Sequence, residues 1–284
     1  MIDSRLLACA AGILFSLMPL HSAPRIQVHG HRGARAIYPE NTIPAFSYAI
    51  DIGADVLEMD VAVTKDNVLV ISHDPHINPQ ICTGPHPGIA IHELTFAELR
   101  EYDCGTLKNP RFPKQQPVPG TRIPTLDKVL SLGKGNQIQF NIETKSFPDH
   151  PELTPPPDVF ASMLLDVIRK NRVESRSIVQ SFDFRTLHAM KRLAPDMRLS
   201  ALWEGAPRPF VSIAQEAAAG IISPDFHLVS PEQVQASHQA KLEVVPWTAD
   251  TPQDWQKLID AGVNAIITDD PAALIAYLRE KGLR

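Results

Sequence analysis

The sequence is short of positive charge. Its 284 residues hold 27 Lys and Arg against 32 Asp and Glu, a net charge of −5, which argues against a generic nucleic-acid binder, since those domains are usually basic. It also lacks a dinucleotide fingerprint: "HGHRGA" at 29–34 has glycines, but not at the G-x-G-x-x-G spacing that brings backbone against a pyrophosphate. The apolar run Leu6–Leu20 falls short of the ~20 residues that a membrane-spanning helix needs. Cysteine is scarce, with only Cys9, Cys82 and Cys104. What is present is ordinary for a soluble protein with a real core, 44% hydrophobic and 21% charged, in a length that suits one large domain or two smaller ones.

The first 23 residues differ from the rest. Arg5, the run "LLACAAGILFSLMPL" and the small residues that follow it describe a signal peptide, so the chain is expected to be exported, to a periplasm or outside the cell, without stable membrane insertion after cleavage. An uncleaved N-terminal anchor is the alternative, and "LLAC" at Cys9 loosely resembles a lipobox. Cys82 and Cys104 then remain as an even pair. An oxidising compartment favours a disulfide between them over two separate buried thiols.

From Ile26 onward, short apolar or alternating runs alternate with helical stretches. Strands are expected at Ile26–Gly30, Val56–Val63, Ile138–Thr144, Ser177–Ser181, Arg198–Trp203, Gly220–Ser223, Leu242–Trp247 and Ala265–Thr268. Helices are expected at Thr42–Asp51, Thr125–Leu132, Pro157–Asn171, Phe184–Leu193, Phe210–Ala219, Pro231–Gln239, Pro252–Ala261 and Pro271–Lys281. Thr251 and Asp270 each precede a proline, as a cap precedes the first helical residue. Eight such pairs predict an α/β fold, a (β/α)8 TIM barrel, over residues 24–284, with a doubly wound open sheet as the other possibility. One stretch breaks the rhythm: Leu69–Asp74 reads as an extra strand, and the Pro- and Gly-rich segment of about 75–123, with a short helical piece at Thr95–Tyr102, reads as an insertion after the second strand.

Two strands carry the chemistry. In "VLEMDVAV" the period of two puts Leu57, Met59, Val61 and Val63 on one face and Glu58 and Asp60 on the other. In "IQFNIETK" it puts Ile138, Phe140 and Ile142 opposite Asn141, Glu143 and Lys145. In a barrel the apolar faces pack on helices, and Glu58, Asp60 and Glu143 meet at the mouth. Three buried carboxylates repel one another, and a divalent cation relieves this; oxygen-only ligands suit Mg2+ or Ca2+. Solvated strand faces are the plain alternative. His31 and His73 follow strands and suit general acid and base work, although imidazoles also ligate transition metals. Arg32 offers a planar fork for phosphate, and Gly33 lets backbone approach a ligand or simply makes a turn. Glu40 is a further candidate, and Asn41 or Thr42 can cap the first helix.

The run "HRGARAIYPENTIPAFSYAIDIGADVLEMDVAVTKDNVLVISHD" at 31–74 resembles the N-terminal signature of glycerophosphodiester phosphodiesterases. "NIETK" at 141–145, "QSFD" at 180–183, "VPWTAD" at 245–250 and "AGVNAIITDDP" at 261–271 are similar to its later landmarks, so the resemblance spans roughly 26–280. It implies a TIM barrel with a small insertion after the second strand, and metal-dependent hydrolysis of glycerophosphocholine, glycerophosphoethanolamine and similar small molecules to glycerol 3-phosphate and an alcohol. It implies Glu58, Asp60 and Glu143 as ligands of one Ca2+ or Mg2+, His31 and His73 as the acid–base pair, and Arg32 and Lys145 as phosphate-side cations. It puts Trp247 near the pocket rim, against a plain role in core packing, and it implies that the glycerol 2-hydroxyl attacks to give a cyclic phosphate that water opens. Headgroup preference is expected to depend on the insertion and on loops near Trp203, Phe226 and Trp247. A lyase similar to sphingomyelinase D and a non-catalytic phosphodiester-binding barrel are the competing readings.

Overall fold

Strand-forming runs of β-branched and apolar residues become β1 (Gln27–Gly30), β2 (Val56–Val63), β4 (Gln139–Thr144), β5 (Ser177–Ser181), β6 (Arg198–Trp203), β7 (Ile221–Pro224), β8 (Glu243–Val244) and β9 (Ala265–Thr268) in a computed structural model that describes residues 25–284. The expected signal peptide, the alternative anchor and Cys9 lie outside the described residues. The eight strands pair in parallel in the order β8-β7-β6-β5-β4-β2-β1-β9. The ring closes where Asn264 N–H donates to Val244 O and Ile267 N–H to Pro246 O, each at 3.0 Å. This is the expected (β/α)8 TIM barrel.

The intervening segments form α1 (Ile43–Asp51) and α3 (Leu126–Leu130) through α9 (Pro271–Glu280), with α2 (Phe96–Leu99) inside the insertion. Thr251 caps α8 (Pro252–Ala261) by accepting from Asp254 N–H, and Asp270 caps α9 by accepting from Ala273 N–H. Thr42, not Asn41, caps α1. Leu57, Met59 and Val61 of β2 and Phe140 and Ile142 of β4 pack outward on the helices in the main core, as the period of two requires.

Several boundaries fall short of the sequence expectation. β8 is two residues long because Pro224 of β7 has no N–H to return to Val245 O, which Ser223 Oγ takes instead, although Val245 N–H still donates to Ile222 O. β3 (Leu69–Ile71), antiparallel to β2, stops before His73; Ser72 Oγ donates to Asp74 O and turns the chain there. The sixth helix (Phe210–Glu216) ends early because Ala218 takes a left-handed φ of 52°.

Inward residues of alternate strands lie level, as the tilt of such barrels dictates. The floor is polar: Arg198 donates to Gln139 Oε1 at 3.1 Å and Glu243 Oε2 at 3.0 Å. The mouth layers carry His31 and Glu143, then Asp60 and Asp269. The insertion has its own small core around Val70, Ile77, Leu99 and Tyr102. Gln115 fastens it to the barrel by donating to the carbonyls of Arg35 and Tyr38. The expected Cys82–Cys104 disulfide is present, closing 22 residues of it. A loop of this length implies roughly 3 kcal/mol of stabilisation by chain entropy. Reduction is therefore expected to expose the insertion to limited proteolysis while the barrel melts nearly as before. Unchanged cleavage after reduction would show that the insertion core holds without the bridge.

Candidate active site

The turn after β1 sets the first side chains. Gly30 and Gly33 are obligatory there: a Cβ on Gly30 would lie 2.1 Å from Gly33 O, and one on Gly33 2.7 Å from the Ala45 backbone carbon of α1. Gly33 thus lets the turn approach α1 rather than a ligand. Arg32 takes a left-handed φ of 50°, which aims its N–H at Glu58 Oε2, 2.9 Å away.

Glu58 and Asp60 from β2 and Glu143 from β4 each offer an oxygen within 4.8 Å of the others, and their exposures are only 2%, 1% and 6%. Two cations stand among them. Arg32 lies between Glu40 Oε1, to which its Nη1 donates at 2.7 Å, and Asp60 Oδ2, 3.2 Å from its Nε but out of line for a hydrogen bond. Lys145 Nζ is 2.8 Å from Glu143 Oε1 and 3.9 Å from Asp60 Oδ1. Burial would lower the pKa of Arg32, but Asp60, Glu40 and Glu58 outweigh it; burial would likewise lower that of Lys145, but Glu143 and Asp60 outweigh it, so both stay charged. Two fixed cations against three carboxylates leave negative charge in excess. Burial, then repulsion from Asp60, lifts Glu58 well above its usual range, and burial also lifts Glu143 against the pull of Lys145. For Asp60, burial is overcome by Arg32, His73 and Lys145, which hold it far below the carboxylate range. A buried, oxygen-only cluster short of positive charge fits a hard dication.

His31 is held by a group that the sequence reading missed. Its Nδ1 lies 2.6 Å from Asp269 Oδ1 at the end of β9, and Arg35 Nε donates to the same oxygen at 2.6 Å. Burial would raise Asp269, but His31 and Arg35 keep it ionised, so it only accepts and Nδ1 must carry the proton. The lone pair then sits on Nε2, 3.9 Å from Glu58 Oε2. Burial, reinforced by Arg35 and opposed by Asp269, lowers the His31 pKa to about 4. His73 stands at the rim, partly exposed, with Nδ1 2.8 Å from Asp74 Oδ1.

These groups line one cavity of about 570 Å³. Its apolar wall is Phe182, Phe226 and Trp247; the Phe182 and Trp247 rings meet edge to face at 5.6 Å, and Trp247 Nε1 donates to Ser223 O. Arg111 reaches in from the insertion. Trp203 does not line the cavity; its neighbours Leu202 and Glu204 do, and its ring packs under Arg208. Glu40 also stands back from the cavity, as the partner of Arg32. Asn41, treated above only as a possible cap, donates to Asp60 Oδ2 at 2.9 Å. Gln180 on β5, present in a quoted motif but given no role, donates to Glu58 Oε1 at 2.8 Å. Its inward place beside the carboxylates was available from the period of β5. Asp269 becomes visible only once β9 is known to pair with β1.

Comparison with known proteins gives a consistent result. The model of the glycerophosphoryl diester phosphodiesterase family matches residues 31–273. A glycerophosphodiester phosphodiesterase of Caldanaerobacter subterraneus subsp. tengcongensis is 33% identical over 260 residues, covering 90% of this chain and 98% of that protein. Another from Bacillus subtilis is 29% identical over 262 residues, covering 89% and 86%. A solved structure of a candidate phosphodiesterase of this kind from Silicibacter pomeroyi DSS-3 is 30% identical, with a TM-score of 0.85, covering 91% of this chain and 95% of that one.

Proposed function

The chain belongs to the glycerophosphoryl diester phosphodiesterase family and is a phosphodiesterase of that kind; from this premise we propose that it hydrolyses small glycerophosphodiesters such as glycerophosphocholine and glycerophosphoethanolamine to glycerol 3-phosphate and an alcohol, with one bound Ca2+ or Mg2+. The observation that carries this reading is the meeting of three buried carboxylates with the Nε2 lone pair of His31 in one cavity. Glu58, Asp60 and Glu143 hold the cation, which supplies Lewis-acid stabilisation of phosphoryl oxygens.

The side chains do the rest. Arg32 and Lys145 face the non-bridging oxygens and offset the charge that builds there. His31, neutral and oriented by Asp269, takes the proton from the attacking glycerol 2-hydroxyl at Nε2 while His73, at the open rim, gives a proton to the departing alcohol, leaving a cyclic phosphate. His73 then takes a proton from the water that opens the ring and His31 returns its proton to the 2-hydroxyl, so that glycerol 3-phosphate leaves and both imidazoles end as they began. Trp247, with Phe182, shields one side of the cavity from water. The disulfide supports the view that the mature protein works in an oxidising compartment.

The test is a coupled assay for glycerol 3-phosphate released from glycerophosphocholine, run after chelation and with Ca2+ or Mg2+ restored. Turnover should vanish on chelation and return with one of the ions. Preference for lysophosphatidylcholine, with a cyclic product, would instead favour the lyase reading.

A further inference from the structure

Beneath the carboxylates lies a barrel layer that the reaction does not use. It comprises His29 of β1, Asn141 of β4, Ser200 of β6 and Val245 beyond β8. Each lies two residues before a cavity-lining side chain on its own segment, His31, Glu143, Leu202 and Trp247 respectively, and so faces the barrel interior below the cavity. His29, Asn141 and Ser200 are each 1% exposed. Both ring nitrogens of His29, Asn141 Oδ1 and Ser200 Oγ have no hydrogen-bonding partner among the described residues. Such buried groups are rarely left unmatched, because each costs ~1–3 kcal/mol.

The orientation of Asn141 is not free. Gln180 donates from Nε2 to Glu58 Oε1 at 2.8 Å. Gln180 Oε1 then needs a donor, and Asn141 Nδ2 supplies it at 2.8 Å. Asn141 Oδ1 is thereby turned down into the polar layer, where it requires a donor in its turn. His29 and Ser200 provide N–H and O–H groups in that layer, but neither contacts it directly. Water with two to four polar partners bridges such gaps.

We propose that His29, Asn141 and Ser200 hold internal water beneath the cation site, and that Asn141 is a positioning residue: through Gln180 it fixes the carboxylate of Glu58 toward the metal. This rests on the metal-centre reading above. Partners behind a metal ligand typically change affinity 10–100-fold when removed.

Calorimetric titration of chelated protein with Ca2+ and Mg2+ tests the chain of bonds without reference to turnover. Asn141→Leu keeps the shape of the side chain and removes both polar atoms. It should weaken cation binding ~10–100-fold, and so should Gln180→Leu. The double variant should lose no more than Gln180→Leu alone, since both break one rail. Native affinity in Asn141→Leu beside a loss in Gln180→Leu would overturn the proposal, as would fully additive losses. A high-resolution crystal structure of the unaltered protein gives a second measure that does not depend on folding of a variant. Ordered water within hydrogen-bonding distance of Asn141 Oδ1 and of His29 or Ser200 is expected; a dry layer with direct contacts would overturn it. Failure of the unaltered protein to bind either cation would instead sink the metal-centre reading.

Discussion

Replacing His31 by alanine is expected to leave a folded protein that still binds its cation but turns over ~10²–10⁴-fold more slowly, the usual worth of a positioned acid or base. His31 is not a carboxylate ligand, and its neighbours Arg32 and Gly33 are held by backbone contacts that a shorter side chain leaves alone. The loss should fall on kcat more than on KM, because the imidazole is needed at the moment of proton transfer. Asp269→Asn provides a second check. An amide at this position can present a donor to Nδ1 and move the proton to Nε2, where it blocks the base; a comparable loss of kcat is expected, with the cation affinity unchanged. The pH profile carries the sign. Burial lowers the His31 pKa to about 4, so the lone pair persists as pH falls through the ordinary histidine range near 6.5. At saturating cation, kcat/KM should hold through that range and decline only toward pH 4. Near-normal turnover in His31→Ala would remove the base from this account.

The strand faces were legible because a period of two acts through the backbone alone. It put Glu58, Asp60, Asn141 and Glu143 inward and Met59 and Ile142 outward with no knowledge of neighbours. Strand ends were less legible. The N–H that Pro224 lacks and the left-handed turn at Ala218 are single-residue events that shorten an element whose apolar pattern continues. Least legible were the groups that support the site from a distance in sequence. Asp269 lies 238 residues from His31, and only closure of the ring between β9 and β1 brings them together. Gln180 and Asn41 read locally as a strand polar residue and a helix cap; their meaning is set by the carboxylate that each faces. Glu40 shows the converse. It stands in a run that points to the site, yet its contact is with Arg32, so Glu40 itself reaches the cavity only through that guanidinium.

Replacing Asp60 by asparagine is expected to have an effect at least as large, for a reason that follows from charge. Among the three carboxylates Asp60 is the one held furthest toward its ionised form, by Arg32, His73 and Lys145 once burial is overcome. The substitution leaves Glu58 and Glu143 against Arg32 and Lys145, a balanced set with little left to attract a dication. The Asn41 amide also loses its ionised acceptor. Loss of a Lewis acid worth several kcal/mol corresponds to ~10³-fold or more in rate, and excess Ca2+ or Mg2+ should not restore it. The same cation should be visible without catalysis. At a hundred times its Kd, a ligand bound only by the folded state stabilises it by about 2.7 kcal/mol, so added cation should raise the melting temperature of the unaltered protein and leave that of Asp60→Asn in place. The linkage to pH has a definite direction. Glu58 and Glu143 have pKa values raised by burial, so without cation the folded state loses stability as pH rises through those values, and the stabilisation by cation should grow over the same interval. Acidification should reverse this, with protons displacing the cation from above the usual carboxylate pKa of about 4.3. A cation effect on melting that is equal in both proteins, or that strengthens as pH falls, would place the ion somewhere other than these three side chains.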